Sequence, residues 1–249
     1  MNSVRHLLAF AGLGALLLSG CGAPHGQPQK GPEVVAPYEI LDFGTLYAQN
    51  CSGCHGAEGR GGAAISLADP VYLAIAGDEV VRRITSNGVR GTAMPGFAQH
   101  AGGMLTDKQI EVITTGIRSR WSKPGILSAA EVPSYAAKSA GDALQGEVAY
   151  KTFCETCHGP SGRGGGKGSS ITDASFLALI SDQELRTVVI AGRPELGAPD
   201  WRGNVPGKTM SERDVTNVVA WLASQRTHSP PQANAGAKSA QQEESNHAQ

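Results

Sequence analysis

Two short stretches of the chain carry two cysteines separated by two residues and followed directly by a histidine. They are CSGCH at residues 51–55 and CETCH at residues 154–158. Such a cysteine pair alone is compatible with a redox dithiol or with half of a zinc site. With the adjoining histidine it is typical of c-type haem attachment, in which both thiols bond to the porphyrin and the imidazole binds the iron.

The cysteine count favours haem attachment over the dithiol and zinc interpretations. The chain has five cysteines, four of them in the two motifs, so no pair is left over for a disulfide. Each motif also runs into the same Gly-X-X-Gly-Arg-Gly-Gly sequence. We therefore predict two covalently bound haem c groups. The predicted thioether cysteines and proximal histidines are Cys51, Cys54 and His55 for haem 1, and Cys154, Cys157 and His158 for haem 2.

The sequence around the motifs is duplicated. Residues 69–97 align with residues 173–201 at an offset of 104, and this register places Pro95 opposite Pro199. We call the repeat around haem 1 copy one and the repeat around haem 2 copy two. Two repeats predict a tandem pair of small domains, since a solenoid needs at least three units.

The same order of helices is predicted in both copies. The final helix of each is marked by an N-cap, Thr106 or Ser211, ahead of an apolar stripe with helical spacing. Almost no strand-like alternation occurs, so the predicted fold class is all-α. The other predicted helices are residues 43–51 and 146–154, which lead into the motifs, and residues 77–86 and 182–191 in the middle of each copy.

The composition predicts thin cores. The chain has 249 residues with 33 glycines and 14 prolines, but only 3 tryptophans, 5 tyrosines and 5 phenylalanines. Small domains of this kind bury too little apolar surface to be stable by side chains alone, and a haem in each would supply the missing apolar body. The formal net charge of -1 offers no basic surface, so we expect no nucleic-acid partner.

The N-terminus predicts export. Residues 1–20 have a charged start and an apolar run that is too short to span a bilayer, as in a secretory signal peptide. This segment ends in LSGC and so resembles a bacterial lipoprotein signal, which predicts lipid attachment at Cys21; the alternative is an ordinary signal followed by an unrelated cysteine. The Pro/Gly-rich residues 21–37 are then the lipidated N-terminus and tether.

The two motifs, the Met-Pro loop of copy one and the closing helix VVAWLAS together resemble class I c-type cytochromes, in a two-haem form comparable to cytochrome c4. The resemblance covers residues 38–226. It implies that the first and last helices of each domain cross beside the haem. Gly146 and Tyr150 match the family's glycine and aromatic at that crossing, whereas Phe43 replaces the glycine in copy one. The implied domains are residues 38–121 and 141–227, joined by a linker at 122–140 and followed by a disordered tail at 228–249.

The resemblance also implies a sixth iron ligand. In copy one it is Met94 in GTAMPGF, and a histidine–methionine pair suits electron transfer. Copy two has Ala198 in the corresponding slot, and alanine cannot bind iron. Haem 2 then has an open iron, a substitute ligand from this chain, or a ligand from a partner. Met210 is the first candidate substitute, although it aligns with Leu105 and could be a packing residue. The weaker candidates are Lys208, His228 and His100.

Four further residues are candidate haem neighbours, and one is a candidate linker contact. Arg60 and Arg163 follow the motifs and are either partners of haem propionates or solvated loop residues. Trp201 and Trp221 are candidates for packing against haem 2, and Trp121 is predicted to hold the linker in place.

These features predict a membrane-tethered dihaem electron carrier on the outer, periplasmic side of a membrane. It would pass single electrons within a respiratory or photosynthetic chain, with a quinol-oxidising complex or a terminal oxidase as partner, and could be a subunit of a larger oxidoreductase. The alternative is an enzyme in which an open haem 2 acts on peroxide or on a small sulfur or nitrogen compound. The Ala198 loop offers Glu195 and Asp200 as acid–base groups but no histidine, so the carrier is favoured.

Overall fold

The computed structural model describes residues 34–127, 131–165 and 167–226. The predicted signal segment, Cys21, His228 and the predicted tail lie outside these residues. The chain divides into a unit of residues 1–39, in which a single 3-10 turn is described at Pro37–Glu39, and a unit of residues 40–249, which contains both copies. Within the described residues, no helix has the length and apolar character needed to cross a membrane.

Both copies are built from helices and loops, and the described residues contain isolated bridges but no strand. The all-α prediction is confirmed. The helices of copy one are α1 at Phe43–Asn50, α2 at Ser52–His55, α3 at Pro70–Asn87 and α4 at Asp107–Trp121. The helices of copy two are α5 at Ala143–Phe153, α6 at Glu155–His158, α7 at Ala174–Leu179, α8 at Asp182–Ala191 and α9 at Glu212–Ser224.

The last helix of each copy begins with a reciprocal capping box. The Thr106 hydroxyl accepts from the Gln109 backbone N–H, and the Gln109 side chain accepts from the Thr106 backbone. Ser211 and Asp214 make the same pair of bonds in copy two. Both predicted N-caps are confirmed, and these bonds satisfy donors that a helix start leaves free. The predicted apolar stripes are buried at Ile110, Ile113 and Ile117 and at Val215, Val218 and Leu222.

The middle helix is interrupted at the same register position in both copies. In copy one the break is Gly77, whose φ of 70° lies in the left-handed region inside α3. In copy two its counterpart is Ser181, which separates α7 from α8 and caps α8 by accepting from the Glu184 N–H. The predicted helix at 182–191 is therefore confirmed, whereas the helix predicted at 77–86 is the second part of a longer element.

The first and last helices cross in both copies, but the glycine at the crossing lies on the first helix in copy two and on the last helix in copy one. In copy two a β-carbon at Gly146 would overlap the Asn217 carbonyl oxygen of α9, so the two backbones approach closely. In copy one Phe43 occupies that position on α1, and the glycine is Gly116 on α4, where a β-carbon would overlap the Phe43 ring. The expected loss of a close backbone approach in copy one is thus accompanied by a compensating glycine on the other helix.

Trp121 packs at the helix crossing of copy one. Its ring lies edge-on to those of Phe43 and Tyr47, with centroid distances of 6.0 and 5.2 Å. Its predicted role in holding the linker stays a prediction. The described part of the predicted linker is bound by Arg186 of α8, which is buried and donates from Nε and Nη2 to the Ser134 carbonyl at 3.0 and 2.9 Å.

Candidate haem sites

Each Cys-X-X-Cys-His motif forms a single helical turn directly after the first helix of its copy. The Cys54 N–H donates to the Cys51 carbonyl at 3.2 Å, and the Cys157 N–H donates to the Cys154 carbonyl at 3.1 Å. This winding places the second cysteine one turn from the first. One thiol of each pair is at least half-buried while the other is exposed, so each pair spans from the core to the surface.

Backbone carbonyls fix the orientation of both histidines. His55 Nδ1 lies 2.7 Å from the Ile65 carbonyl oxygen, and His158 Nδ1 lies 2.8 Å from the Ser169 carbonyl oxygen. Because a carbonyl can only accept, Nδ1 must carry the proton, which leaves the lone pair of Nε2 free. Burial lowers the pKa of His55, which favours the neutral imidazole. A metal-binding histidine needs this tautomer, and it needs a partner such as these carbonyls to hold its other ring nitrogen.

The first thiol of each motif has a raised pKa, the opposite of a reactive thiol. Burial, followed by the neighbouring thiol, raises the pKa of Cys51 to about 11 and that of Cys154 to about 12. Reactive dithiols and zinc sites require thiolates and have lowered pKa values. In residues 34–127, 131–165 and 167–226, moreover, no three His, Cys, Asp or Glu side chains are grouped closely enough to hold a metal ion. The geometry therefore fits thioether attachment better than the two alternatives.

A tyrosine from the first helix closes each turn. The Tyr47 hydroxyl donates to the Gly56 carbonyl at 2.9 Å, and the Tyr150 hydroxyl donates to the Gly159 carbonyl at 2.5 Å. Both glycines end the motif helix with a positive φ, of 83° and 72°. A side chain at either position would meet the loop that follows, so the turn requires glycine directly after the histidine.

Ala198 has the same backbone partner in copy two that Met94 has in copy one. The Val89 N–H donates to the Met94 carbonyl at 3.0 Å, and the Arg193 N–H donates to the Ala198 carbonyl at 2.9 Å. Val89 and Arg193 are the corresponding residues at the offset of 104.

The glycines that end the middle helices support the same equivalence. Gly88 and Gly192 have φ values of 69° and 72°. A β-carbon at Gly88 would lie 2.6 Å from the Met94 carbonyl oxygen, and one at Gly192 would lie 2.7 Å from the Ala198 carbonyl oxygen. The loops thus leave their helices along the same path, and the alanine occupies the slot of the methionine.

Met210 is held in the structural position of Leu105. The Met210 N–H donates to the Trp201 carbonyl at 3.0 Å, and the Leu105 N–H donates to the Phe97 carbonyl at 2.8 Å. Met210 is 1% exposed, and its sulfur lies 3.6 Å from the Asn204 amide nitrogen, which can donate to it. These contacts are those of a packing residue. Iron binding by Met210 stays a prediction.

The weaker candidates for the sixth ligand have other contacts. The Lys208 ammonium lies 5.1 Å from the centroid of the Phe153 ring. His100 Nε2 lies 2.9 Å from Asn87 Oδ1, on copy one. Arg60 and Arg163, the candidate propionate partners, are both exposed, and that role also stays a prediction.

Trp201 carries a polar group that suits a haem carboxylate. Its side chain is fully buried, and among the described residues its Nε1–H is the one buried side-chain N or O group without a hydrogen-bond partner. An unpaired buried donor is unfavourable, and a propionate oxygen would satisfy it. Sequence reasoning assigned Trp201 to haem packing and missed its indole N–H as a donor. The sequence did indicate this donor, because copy two has Trp201, whose ring bears an N–H group, at the position of Phe97 in copy one.

Both carboxylates of the Ala198 loop are paired with arginines. Glu195 Oε1 lies 2.5 Å from Arg193 Nε, and Asp200 Oδ2 lies 2.6 Å from Arg202 Nη2. Arg193 also donates from Nη2 to the carbonyl of Gly62, in the loop behind the haem 1 motif, at 3.0 Å. This contact joins the distal loop of copy two to the attachment loop of copy one. Sequence reasoning missed it, and the only sign was an arginine in place of Val89.

The chain matches the family model described as cytochrome c oxidase, cbb3-type, subunit III, over residues 39–115 and 141–222. It is 29% identical over 148 residues to the cbb3-type cytochrome c oxidase subunit CcoP of Azospirillum sp. (strain B510), a match that covers 53% of this chain and 45% of the relative. The chain thus spans less than half of the length of that curated relative. A solved chain of the Kuenenia stuttgartiensis reducing HAO-like protein complex has a TM-score of 0.46 and 19% identity, covering 78% of this chain and 100% of that one.

The two matched segments each contain one Cys-X-X-Cys-His turn with its oriented histidine. The chain is therefore a dihaem class I c-type cytochrome with two tandem domains, and it carries two covalently bound haems. The boundaries predicted for the domains and the linker stay predictions.

Proposed function

Because the chain belongs to the cbb3-type cytochrome c oxidase subunit III family, we propose that it is a membrane-tethered carrier of single electrons to a terminal oxidase. A quinol-oxidising complex is the proposed electron donor. The curated relative is named as a subunit of such an oxidase, and this supports the proposed acceptor. In such a protein the haems perform the redox chemistry, while the chain binds, orients and insulates them.

One contact carries the proposal. Arg193 of copy two donates to the Gly62 carbonyl of copy one, and Gly62 itself abuts the Cys54 carbonyl so closely that a β-carbon would overlap it. The loops of the two haem sites therefore touch within one compact unit. Haems attached at the two motifs would be held in one compact unit, so the two redox sites of a carrier would stay together in one protein.

We propose that His55 and Met94 would hold the iron of haem 1. With a methionine ligand that haem would have a raised reduction potential and no position for a substrate, which suits electron transfer. The bond from His55 Nδ1 to the Ile65 carbonyl supports this role, because it fixes the orientation of the imidazole that would bind the iron.

The proposed location is the outer, periplasmic face of a membrane, with a lipid anchor at Cys21. The support is the LSGC sequence behind the apolar segment and the Pro/Gly-rich tether that follows. An acyl anchor would hold the haem domains beside membrane-bound redox partners.

The paired carboxylates favour a carrier over an enzyme acting at haem 2. Peroxide or oxyanion chemistry needs a proton donor placed beside the iron. Glu195 and Asp200, the two acidic residues of the Ala198 loop, are both paired with arginines, so neither is an unpaired acid–base group.

The test is electron delivery to the proposed acceptor. The full-length chain is matured with covalent haem, reduced, and mixed without oxygen with an oxidised cbb3-type oxidase from which subunit III has been removed. We expect the absorption bands to show that both haems become oxidised, at a rate that rises with oxidase concentration. A chain that stays reduced there, yet is oxidised at once by ferricyanide, would refute the proposed acceptor.

A further inference from the structure

We propose that the Ala198 side of haem 2 is an open coordination site for a small neutral diatomic molecule, and that Met210 is a packing residue. The inference rests on the proposed dihaem function and specifies what its second site binds. It depends on the loop that corresponds to the methionine loop of haem 1.

The loop of copy two follows the path that presents a ligand in copy one. Arg193 and Val89 donate to the carbonyls of Ala198 and Met94 at 2.9 and 3.0 Å. The side chain at position 198 is therefore placed where copy one has its methionine. A methyl group has no lone pair, so the slot itself leaves the iron without a sixth ligand.

The loop is tied down on both sides of Ala198. The Ala198 N–H donates back to the Arg193 carbonyl at 3.1 Å, and the Trp201 N–H donates to the Ile190 carbonyl at 3.1 Å. Arg193 is itself fixed by Glu195 and by Gly62. The backbone at Ala198 therefore cannot be displaced without breaking these bonds.

Met210 is bound to a different part of the fold. Its N–H is paired with the Trp201 carbonyl and its sulfur is within reach of the Asn204 amide, in the place that Leu105 fills in copy one. Met210 is 1% exposed in that position, as a packing residue is. Copy one shows that an ordinary aliphatic side chain is sufficient there.

The charges of the loop select a neutral ligand. Arg193 is balanced by Glu195, and Arg202 is balanced by Asp200. The loop therefore contributes no net positive charge that would attract an anion, and both of its carboxylates are paired with arginines. The polarity and donors of a distal pocket decide what a haem binds, and these favour a neutral diatomic molecule over a charged or proton-dependent substrate.

Carbon monoxide is the probe. The reduced full-length chain with both haems is titrated, and the bound gas is counted from the absorption change. We expect one carbon monoxide per chain. Three variants sharpen the assignment: A198M should bind none, M94A should bind two, and M210L should bind one, as the unaltered chain does.

Magnetic circular dichroism of the oxidised chain provides a second measurement that does not depend on A198M folding. We expect one methionine–iron signature for every two haems in the unaltered chain and in M210L, and none in M94A. Zero or two carbon monoxide molecules per unaltered chain overturn the proposal, as does a methionine–iron signature that M210L removes. Electron delivery to the oxidase is measured separately. A chain that binds no carbon monoxide yet oxidises in that assay would refute the open site alone.

Discussion

Copy one and copy two have the same backbone around their haem sites but differ at the residue that would bind the iron. The histidine, the tyrosine that closes the turn and the carbonyl at the ligand slot make the same hydrogen bonds in both copies. Met94 in one copy is Ala198 in the other. Since the loop keeps its path without the methionine, its shape is set by backbone bonds and glycines. The distal chemistry can therefore change while the fold does not.

The helix crossing also keeps its packing while its residues change. Copy one places a phenylalanine on the first helix and a glycine on the last, whereas copy two places Gly146 on the first helix and Trp221 on the last. Tyr150 then stacks on Trp221 with a centroid distance of 4.2 Å. The exchange keeps one large and one small residue at the crossing, so the total volume is similar.

Removal of one attachment motif should have the largest effect. We expect C51S/C54S to lose haem 1 and C154S/C157S to lose haem 2, because the thioether bonds require both thiols. Intact-protein mass should fall by one haem in each case, and by two when all four residues are replaced. A protein that carries both haems without either cysteine pair would contradict the attachment sites.

A methyl group added at the helix crossing should have the next largest effect, and the loss of stability should differ between the two copies. At Gly146 it would overlap the backbone oxygen of Asn217, which cannot move alone, so G146A should destabilise the protein by about 3 kcal/mol. At Gly116 it would overlap the Phe43 ring, which can rotate, so G116A should have a smaller effect, of about 1 kcal/mol.

Denaturant unfolding of the haem-loaded variants measures both values. G44A is the control on α1, because its β-carbon would be 3.4 Å from the nearest atom, an ordinary contact. If G116A were as destabilising as G146A, the two crossings would be equally close, and the backbone approach would not be special to copy two.

Removal of the arginine that joins the copies should have a moderate effect. Arg193 and Glu195 have side-chain exposures of 15% and 14%, and copy one has an uncharged valine at the position of Arg193. R193Q leaves a largely buried carboxylate and an unpaired Gly62 carbonyl, so we expect a loss of about 2 kcal/mol in unfolding free energy.

A double-mutant cycle with E195Q isolates the contribution of this pair. K108Q is the matched control, because Lys108 and Glu111 form an exposed pair on α4 with side-chain exposures of 62% and 60%. Its loss should stay below about 0.5 kcal/mol. A coupling energy near zero between positions 193 and 195 would show that the ion pair itself does not stabilise the protein.

The features predicted from sequence are those that depend on neighbouring residues. The attachment motifs, the N-caps at Thr106 and Ser211 and the slot shared by Met94 and Ala198 all follow from local spacing and from the repeat. The contact from Arg193 to Gly62 spans 131 residues and breaks the repeat, so no local pattern indicates it. The attachment of the linker by Arg186 was missed for the same reason, since a buried arginine looks solvated until its partners are known.

The smallest expected effect concerns the tyrosine hydroxyls that close the haem turns. Y150F removes the bond to the Gly159 carbonyl while it keeps the ring that stacks on Trp221, so we expect a loss of about 1 kcal/mol at neutral pH. Y47F is the counterpart in copy one, where the bond is longer, 2.9 Å against 2.5 Å, and its loss should be the smaller of the two.

The stabilisation by the Tyr150 hydroxyl should decrease at high pH. Burial raises the pKa of Tyr150 from 10.0 to about 12. A group with a raised pKa in the folded state stabilises the protein fully below its unfolded pKa, and that contribution is lost as the pH rises through the folded value. Unfolding free energy should therefore decline between about pH 10 and about pH 12 in the unaltered chain, and less steeply in Y150F. Equal slopes for the two proteins in this range would mean that the hydroxyl is not held protonated by the fold, and the closure of the turn would then depend on the ring alone.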